Sequence, residues 1–265
     1  MYRKMYRKVQ RSYALSDLAM VVLGAGSAGA TELLPSSFVL EQEGRPILLI
    51  DCGAGVLDAY RRQYQQLPEA VYISHPHMDH VADLEKLFIA ACFNDKPAPR
   101  IYVPAAIVPR LTRMFDNHPG QLAEGGANFW QVLQLVAVDS GFWLAQHNFR
   151  VTPARHHQLD FSFSLSLPGR FFFTADTRPI PEVLHHLAAG GEPILHDVGL
   201  VANPSHTGIE DIKRDYDARL WPRLYLYHYY AEKDAALMEA EGFNVLRPRQ
   251  RLILPAERAS DVVTA

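Results

Sequence analysis

Three imidazoles and a carboxylate fall within one short stretch, Ser74-His75-Pro76-His77-Met78-Asp79-His80. His75 and His77 alternate, so in an extended segment their side chains share a face and can reach one point. Asp79 and His80 then offer a second set of donors. So dense a collection of imidazole and carboxylate groups points to a metal site rather than to a polar loop that merely accumulates histidines. The flanking residues supply the elements that must position it. Residues 70–74 read as a buried strand, and Leu84, Leu87, Phe88 and Ala91 mark one face of a helix. The ligands therefore belong to a loop at the carboxyl end of a strand.

With 265 residues, 48% hydrophobic and 21% charged, the chain can bury a full core, and we read one domain over residues 17–265. Residues 1–16 form a basic arm in which Met-Tyr-Arg-Lys occurs twice. A net charge of -3 and a pI near 6.4 argue against extended binding to a nucleic-acid backbone. Cys52 and Cys92 make no CxxC pair and no disulfide framework, which fits a reducing compartment, the cytoplasm. No apolar run is long enough to span a membrane. The basic start followed by residues 18–23 loosely imitates a signal peptide, but Asp17 interrupts the approach and the same residues are needed as the first core strand.

Gly24-Ala25-Gly26-Ser27-Ala28-Gly29 matches the dinucleotide fingerprint, and Asp51 lies near the place of its ribose-binding acid. The fingerprint needs a helix after its third glycine. Pro35, Ser36-Ser37, the strand-like 38–40 and the Glu43-Gly44 turn leave no room for one, so no nucleotide cofactor is expected. The expected structure is a glycine-rich loop and then a hairpin, 38–40 against 47–50. Asp51-Cys52-Gly53-Ala54-Gly55 closes it and opens a helix through Val56, Leu57 and Tyr60.

Strand-Asp-x-Gly followed by strand-x-His-x-His-x-Asp-His resembles the opening half of the metallo-β-lactamase-fold hydrolases. That superfamily further asks for a lone His, a lone Asp and a last His at strand ends. After a strand at 101–104, a helix at 107–115 and a strand region at 130–138, the chain offers His156-His157, Asp176 at the end of an apolar run and His228 at the end of 224–227. The resemblance covers about residues 18–230 and implies a four-layer αββα sandwich. It also implies that His75, His77 and His156 hold one divalent metal, and Asp79, His80 and His228 a second, with Asp176 bridging. Zinc suits these ligand types, as do manganese, iron and nickel. Asp51 would orient a ligand histidine by accepting its N–H. His156 is preferred over His157, which would stand behind the ligands or face substrate.

Asp197 and His206 are similar to a dyad of the phosphodiesterase branch that includes tRNase Z, in which the histidine protonates the leaving oxygen. Thr207 with Glu210 reads as a capping box, and Ile209, Ile212, Tyr216 and Leu220 as the apolar stripe of the following helix, whose positive end would favour phosphate. The long arm that clamps tRNA in typical tRNase Z enzymes has no counterpart in residues 157–175. The resemblance thus implies a small phosphodiester or nucleotide-like substrate rather than structured tRNA. A metal-bridging hydroxide would attack phosphorus, Asp79 would orient it, and His206, held by Asp197, would act as general acid. Acyl hydrolysis (thioesterase, lactonase or β-lactamase-like) at the same metals is the alternative, and a non-catalytic binding protein on the same fold a lesser one. Related enzymes are often dimers, so a homodimer is also implied. Residues 93–99 and 116–129 carry no readable specificity code.

Overall fold

The computed structural model describes residues 17–93, 97–115, 121–122, 125–126 and 128–256; the basic arm and parts of both specificity loops lie outside them. In chain order the elements are β1 (Leu18–Gly24), β2 (Ser37–Gln42), β3 (Arg45–Ile50), α1 (Val56–Tyr64), β4 (Ala70–Tyr72), α2 (Met78–Val81), α3 (Leu84–Cys92), β5 (Arg100–Pro104) and α4 (Val108–Phe115). After β6 (Gln121–Leu122) and β7 (Gly125–Gly126) come α5 (Phe129–Val132), β8 (Gln134–Val138), β9 (Gly141–Leu144), β10 (His147–Pro153), β11 (Phe163–Leu167), β12 (Phe171–Phe173), α6 (Pro181–Leu187) and β13 (Ile194–Asp197). The chain continues through α7 (Ile209–Asp215), β14 (Leu224–Tyr227), α8 (Glu232–Ala240), β15 (Asn244–Val245) and β16 (Arg251–Ile253).

Two seven-stranded mixed sheets face each other, in the orders β16-β1-β2-β3-β4-β5-β8 and β15-β14-β13-β12-β11-β10-β9. Helices cover the outer faces, α1 against β1 and α8 against β15, which completes the αββα sandwich. The reason lies in the strands: β1 is buried along its whole length and β12 is three consecutive buried phenylalanines, so each must be covered on both faces. Between the sheets Phe38 meets Phe173 and Tyr227 edge-on at 5.5 and 5.1 Å, and Tyr72 donates its hydroxyl to the Phe163 carbonyl at 3.0 Å. Each sheet changes from antiparallel to parallel pairing, at β3 in one and at β12 in the other. Parallel strands point their carboxyl ends the same way, so both sheets deliver their following loops to one edge.

The hairpin forms as expected, with Phe38 opposite Ile50 and Leu40 opposite Leu48. Its turn residues Glu43 and Gly44 both have positive φ, 52° and 75°, the twist that suits a two-residue connection. Residues 25–36 hold no helix, so the dinucleotide fingerprint lacks its structural context. Two expectations need correction. The strand region at 130–138 begins as α5, because Asn128 accepts from the Trp130 N–H at 3.0 Å and caps a turn of helix before β8. The helix after His206 is capped not by Thr207 and Glu210 but by Gly208, whose N–H donates to Asp211 at 3.0 Å. Thr207 instead donates its hydroxyl to the Thr177 carbonyl, while Glu210 is exposed and pairs with Lys213. At seven residues α7 ends before Tyr216 and Leu220, so the expected apolar stripe is shortened and its dipole offers little to an anion.

Candidate metal centre

Asp51 follows β3, His75 to His80 follow β4, Asp176 follows β12, Asp197 ends β13 and His228 follows β14. Asp51, Ala175 and His228 all have left-handed φ, 58°, 56° and 72°. Non-glycine residues hold that conformation at a cost on the order of 1 kcal/mol each, and here it turns the chain so that side chains face the shared edge.

The protons in the cluster are committed away from its centre. Asp51 is fully buried and accepts the Ser74 N–H at 2.8 Å, the Ser74 hydroxyl at 2.7 Å and the His80 Nδ1–H at 2.8 Å. Since the Ser74 hydroxyl proton goes to Asp51, its oxygen accepts from His75 Nδ1 at 3.1 Å, leaving His75 Nε2 bare. His156 Nδ1 donates to the Ser205 carbonyl at 2.9 Å, which bares its Nε2 as well. Both bare nitrogens approach His77 Nδ1, at 3.0 and 3.3 Å. One proton cannot satisfy three lone pairs, whereas a cation can.

Asp176 Oδ2 lies 3.5 Å from His75 Nε2, 3.4 Å from His80 Nε2 and 3.3 Å from His228 Nε2. Asp79 Oδ2 stands 3.3 Å from His80 Nε2 and 3.6 Å from His228 Nε2. His80 Nε2, His228 Nε2 and Asp176 Oδ1 are buried without a hydrogen-bond partner, a costly condition unless a cation occupies the space between them. Ligand atoms of His75, His77, His156 and Asp176 all lie within 4.8 Å of one another, as do those of Asp79, His80, Asp176 and His228. The residues present fit two divalent ions sharing Asp176.

Electrostatics divide the two sets. Burial pushes His75 well below its ordinary range, lowers His77 and brings His156 to about 4, which favours the neutral rings that could hold a cation. In the second set burial is outweighed by carboxylates: Asp176 and Asp197 lift His228 to about 10, and Asp176 and Asp51 raise His80 well above 6.5. Asp176 is driven up by burial, but the charges of His228 and His80 hold it well below the usual carboxylate range.

Asp197 is buried beside this second set. Its Oδ2 accepts the Thr177 N–H and stands 2.8 Å from His206 Nδ1, while its Oδ1 lies 3.2 Å from His228 Nδ1. The expected dyad is thus brought together, and the same carboxylate touches a residue of the second ligand set. His206 keeps its ring 21% exposed, at a cavity of about 350 Å³ whose lining includes His228, Tyr230, Val201 and Ser27. Burial lowers its pKa, but the Asp197 hydrogen bond and charge raise it overall. His157 stays outside the cluster, its Nδ1 2.9 Å from the Ser205 hydroxyl.

Sequence reasoning missed the residues that hold these groups. Asn203 accepts the N–H groups of Ser205 and His206 at 2.8 and 3.0 Å, fixing the carbonyl that faces His156 and the ring that faces Asp197. Asn203-Pro204 is a turn signal that could have shown this. Nothing in sequence marked Ser74 or Thr177 as a hydrogen-bond partner of these groups.

Two facing mixed sheets with these His/Asp clusters at their common edge define a metallo-β-lactamase-fold protein. A sequence model of the family described as Anti-Pycsar protein Apyc1 matches residues 18–252, and the chain belongs to that family. Anti-Pycsar protein Apyc1 of Paenibacillus harenae is 28% identical over 241 residues, covering 87% of this chain and 97% of that protein. Among solved structures, a diphosphatase from the PhnP family aligns with a TM-score of 0.70 at 14% identity, over 90% of this chain and 100% of the other. The short form of human tRNase Z aligns with a TM-score of 0.61 at 17% identity, over 89% and 99%. At these identities the two structures show a shared fold. Among the described residues no helix is long and apolar enough to cross a membrane.

Proposed function

We propose that the protein is a binuclear metal-dependent phosphodiesterase acting on a small, nucleotide-like phosphodiester. The observation that carries the reading is the Asp197–His206 pair at 2.8 Å, set beside the second ligand set through the Asp197–His228 contact. Hydrolysis of an activated acyl bond has no need of such a proton donor; expulsion of an alkoxide from phosphorus does. His75, His77, His156 and Asp176 would hold one divalent ion, and Asp79, His80, His228 and Asp176 the other, zinc being the first candidate. When bound, the two ions supply a water acidic enough to attack at neutral pH and positive charge for the phosphate oxygens.

The chain's own side chains do the rest. Asp79 orients the attacking water. His206 keeps Nδ1–H on Asp197 and gives the Nε2 proton to the departing oxygen, and although burial opposes it, the Asp197 hydrogen bond and charge favour the protonated ring. Asp51 and Ser74 hold the rings of His80 and His75 so that Nε2 of each faces the centre. Between His156 and Asp176 the described chain forms only β11, β12 and their turn, which supports a small substrate rather than structured tRNA. The anti-Pycsar role in the family's description is carried over as part of this proposal. So are a cytoplasmic location, with both cysteines free, and a homodimer.

The test is His206→Ala in the metal-loaded protein. It should slow phosphodiesters with alkyl leaving groups about 10²- to 10⁴-fold while barely affecting p-nitrophenyl esters, whose leaving group hardly needs the proton. No loss on phosphodiesters, together with robust thioester, lactone or nitrocefin turnover, would move the protein to acyl hydrolysis.

A further inference from the structure

Asp83 stands at the N-cap of α3, yet its side chain makes no hydrogen bond to that helix. An aspartate at a helix start ordinarily satisfies the free amides of its own first turn. The buried carboxylate of Asp83 turns instead to α1, whose own cap residue, Gly55, has no side chain to offer, and accepts the Leu57 N–H at 3.0 Å. Lys86 Nζ lies 3.1 Å from the other carboxylate oxygen. A local cap is thus given up for a bond between two segments that are distant in the chain. The Asp83 N–H donates to the Cys52 carbonyl at 3.0 Å, and the Cys52 N–H to the His80 carbonyl at 2.8 Å. Beside these bonds Gly53 packs so closely that a Cβ on it would stand 1.8 Å from the Asp79 carbonyl oxygen. Residues 51–57 and 79–83 therefore form one clamp, closed at one end by Asp51 on His80 and at the other by Asp83 on α1.

We propose that Asp83 is a positioning residue of the second ligand set: by capping α1 from outside that helix, it keeps the turn bearing Asp79 and His80 seated on the segment that begins with Asp51. This rests on the two-ion reading above and is independent of the substrate. Without the Asp83 carboxylate the turn is tied to α1 by no side chain, and the Leu57 N–H loses its partner. The first ligand set is anchored elsewhere. Asp51 and Ser74 bind each other at the end of β4, His75 rests on Ser74, and His156 rests on the Ser205 carbonyl. The loss of Asp83 consequently falls on one ion and spares the other. Supports that stand behind ligand residues are worth about 10- to 100-fold in metal affinity, and Asp83, one step further out, belongs at about tenfold.

Isothermal titration of the metal-free full chain with zinc tests this, and two binding steps are expected. Asp83→Ala should weaken one step about tenfold and leave the other unchanged, and the weakened step should be the one that disappears in His228→Ala. Asp83→Asn, whose side-chain oxygen can still accept from Leu57, should recover most of the loss. A lower Tm with both affinities unchanged, or equal weakening of both steps, would mark a cap that serves the fold alone and would overturn the proposal. If Asp83→Ala does not fold, the unmodified protein still decides, because coupling between two sites is reciprocal. Zinc should slow hydrogen exchange at the Leu57 amide, and it should not do so in His228→Ala. Exchange at Leu57 that ignores zinc, or that slows equally in His228→Ala, would overturn the proposal. A single binding step in the unmodified protein counts against the two-ion reading alone.

Discussion

Asp197→Ala should damage the proton donor and the second metal site together, because one buried carboxylate serves both. His206→Ala removes only the donor, for an expected loss of about 10²- to 10⁴-fold on alkyl leaving groups. Asp197→Ala frees the His206 ring from its 2.8 Å partner and should lose a similar factor. It also removes the oxygen 3.2 Å from His228 Nδ1, and partners of that kind are worth about 10- to 100-fold in metal affinity. The stranded Thr177 N–H adds about 1 to 3 kcal/mol of lost stability. The assay is a zinc titration of each metal-free variant, followed by hydrolysis of an alkyl phosphodiester and of bis-p-nitrophenyl phosphate. Asp197→Ala should need about 10- to 100-fold more zinc than His206→Ala to reach half its own maximum. At saturating zinc the two substitutions should be non-additive on the alkyl substrate, as expected of residues acting as one unit. Superimposable zinc curves for the two variants would refute the idea that Asp197 supports His228.

His156→Ala should strip metal and activity, whereas His157→Ala, whose Nδ1 is paired with the Ser205 hydroxyl, should keep both; metal analysis of the two variants decides it. Gly53→Ala places a Cβ 1.8 Å from the Asp79 carbonyl, so Asp79 must shift by about 1 Å, enough to cost roughly 10²-fold in rate with the fold retained by circular dichroism. Because His228 is lifted to about 10 in the metal-free protein, zinc binding near neutral pH should release protons, seen as a buffer-dependent binding enthalpy that shrinks in His228→Ala. By the same sign, a ring whose folded pKa exceeds 6.5 stabilises the metal-free chain fully below that pH. This contribution is lost as pH rises towards about 10, so metal-free Tm should fall over that window less in His228→Ala than in the unmodified protein.

What could be read from sequence was whatever a strand end displays locally. His75 to His80, Asp176, Asp197 and His228 each close an apolar run, so their placement followed from where the runs stop. The glycine-rich stretch was rightly separated from a dinucleotide loop because Pro35 and the β2 residues leave no helix. Less legible were contacts that depend on how the sheets face each other. Asp197 touching His228 joins the ends of β13 and β14, and Phe161 under Arg110 joins the approach to β11 with α4, relations that no periodicity encodes. Local cap chemistry misled at Thr207, since its hydroxyl found the Thr177 carbonyl and left capping to Gly208. The start of 130–138 misled in the same way, because Asn128 caps a helical turn ahead of the strand.

The most direct measurement is the hydrolysis of bis-p-nitrophenyl phosphate as metal-free protein is titrated with zinc, with bound metal counted in the same samples. Two ligand sets sharing Asp176 predict that activity rises to a plateau at two ions per chain and is abolished together with the bound metal in Asp176→Ala. A plateau at one ion, or two ions bound with no phosphodiester turnover, would contradict the account.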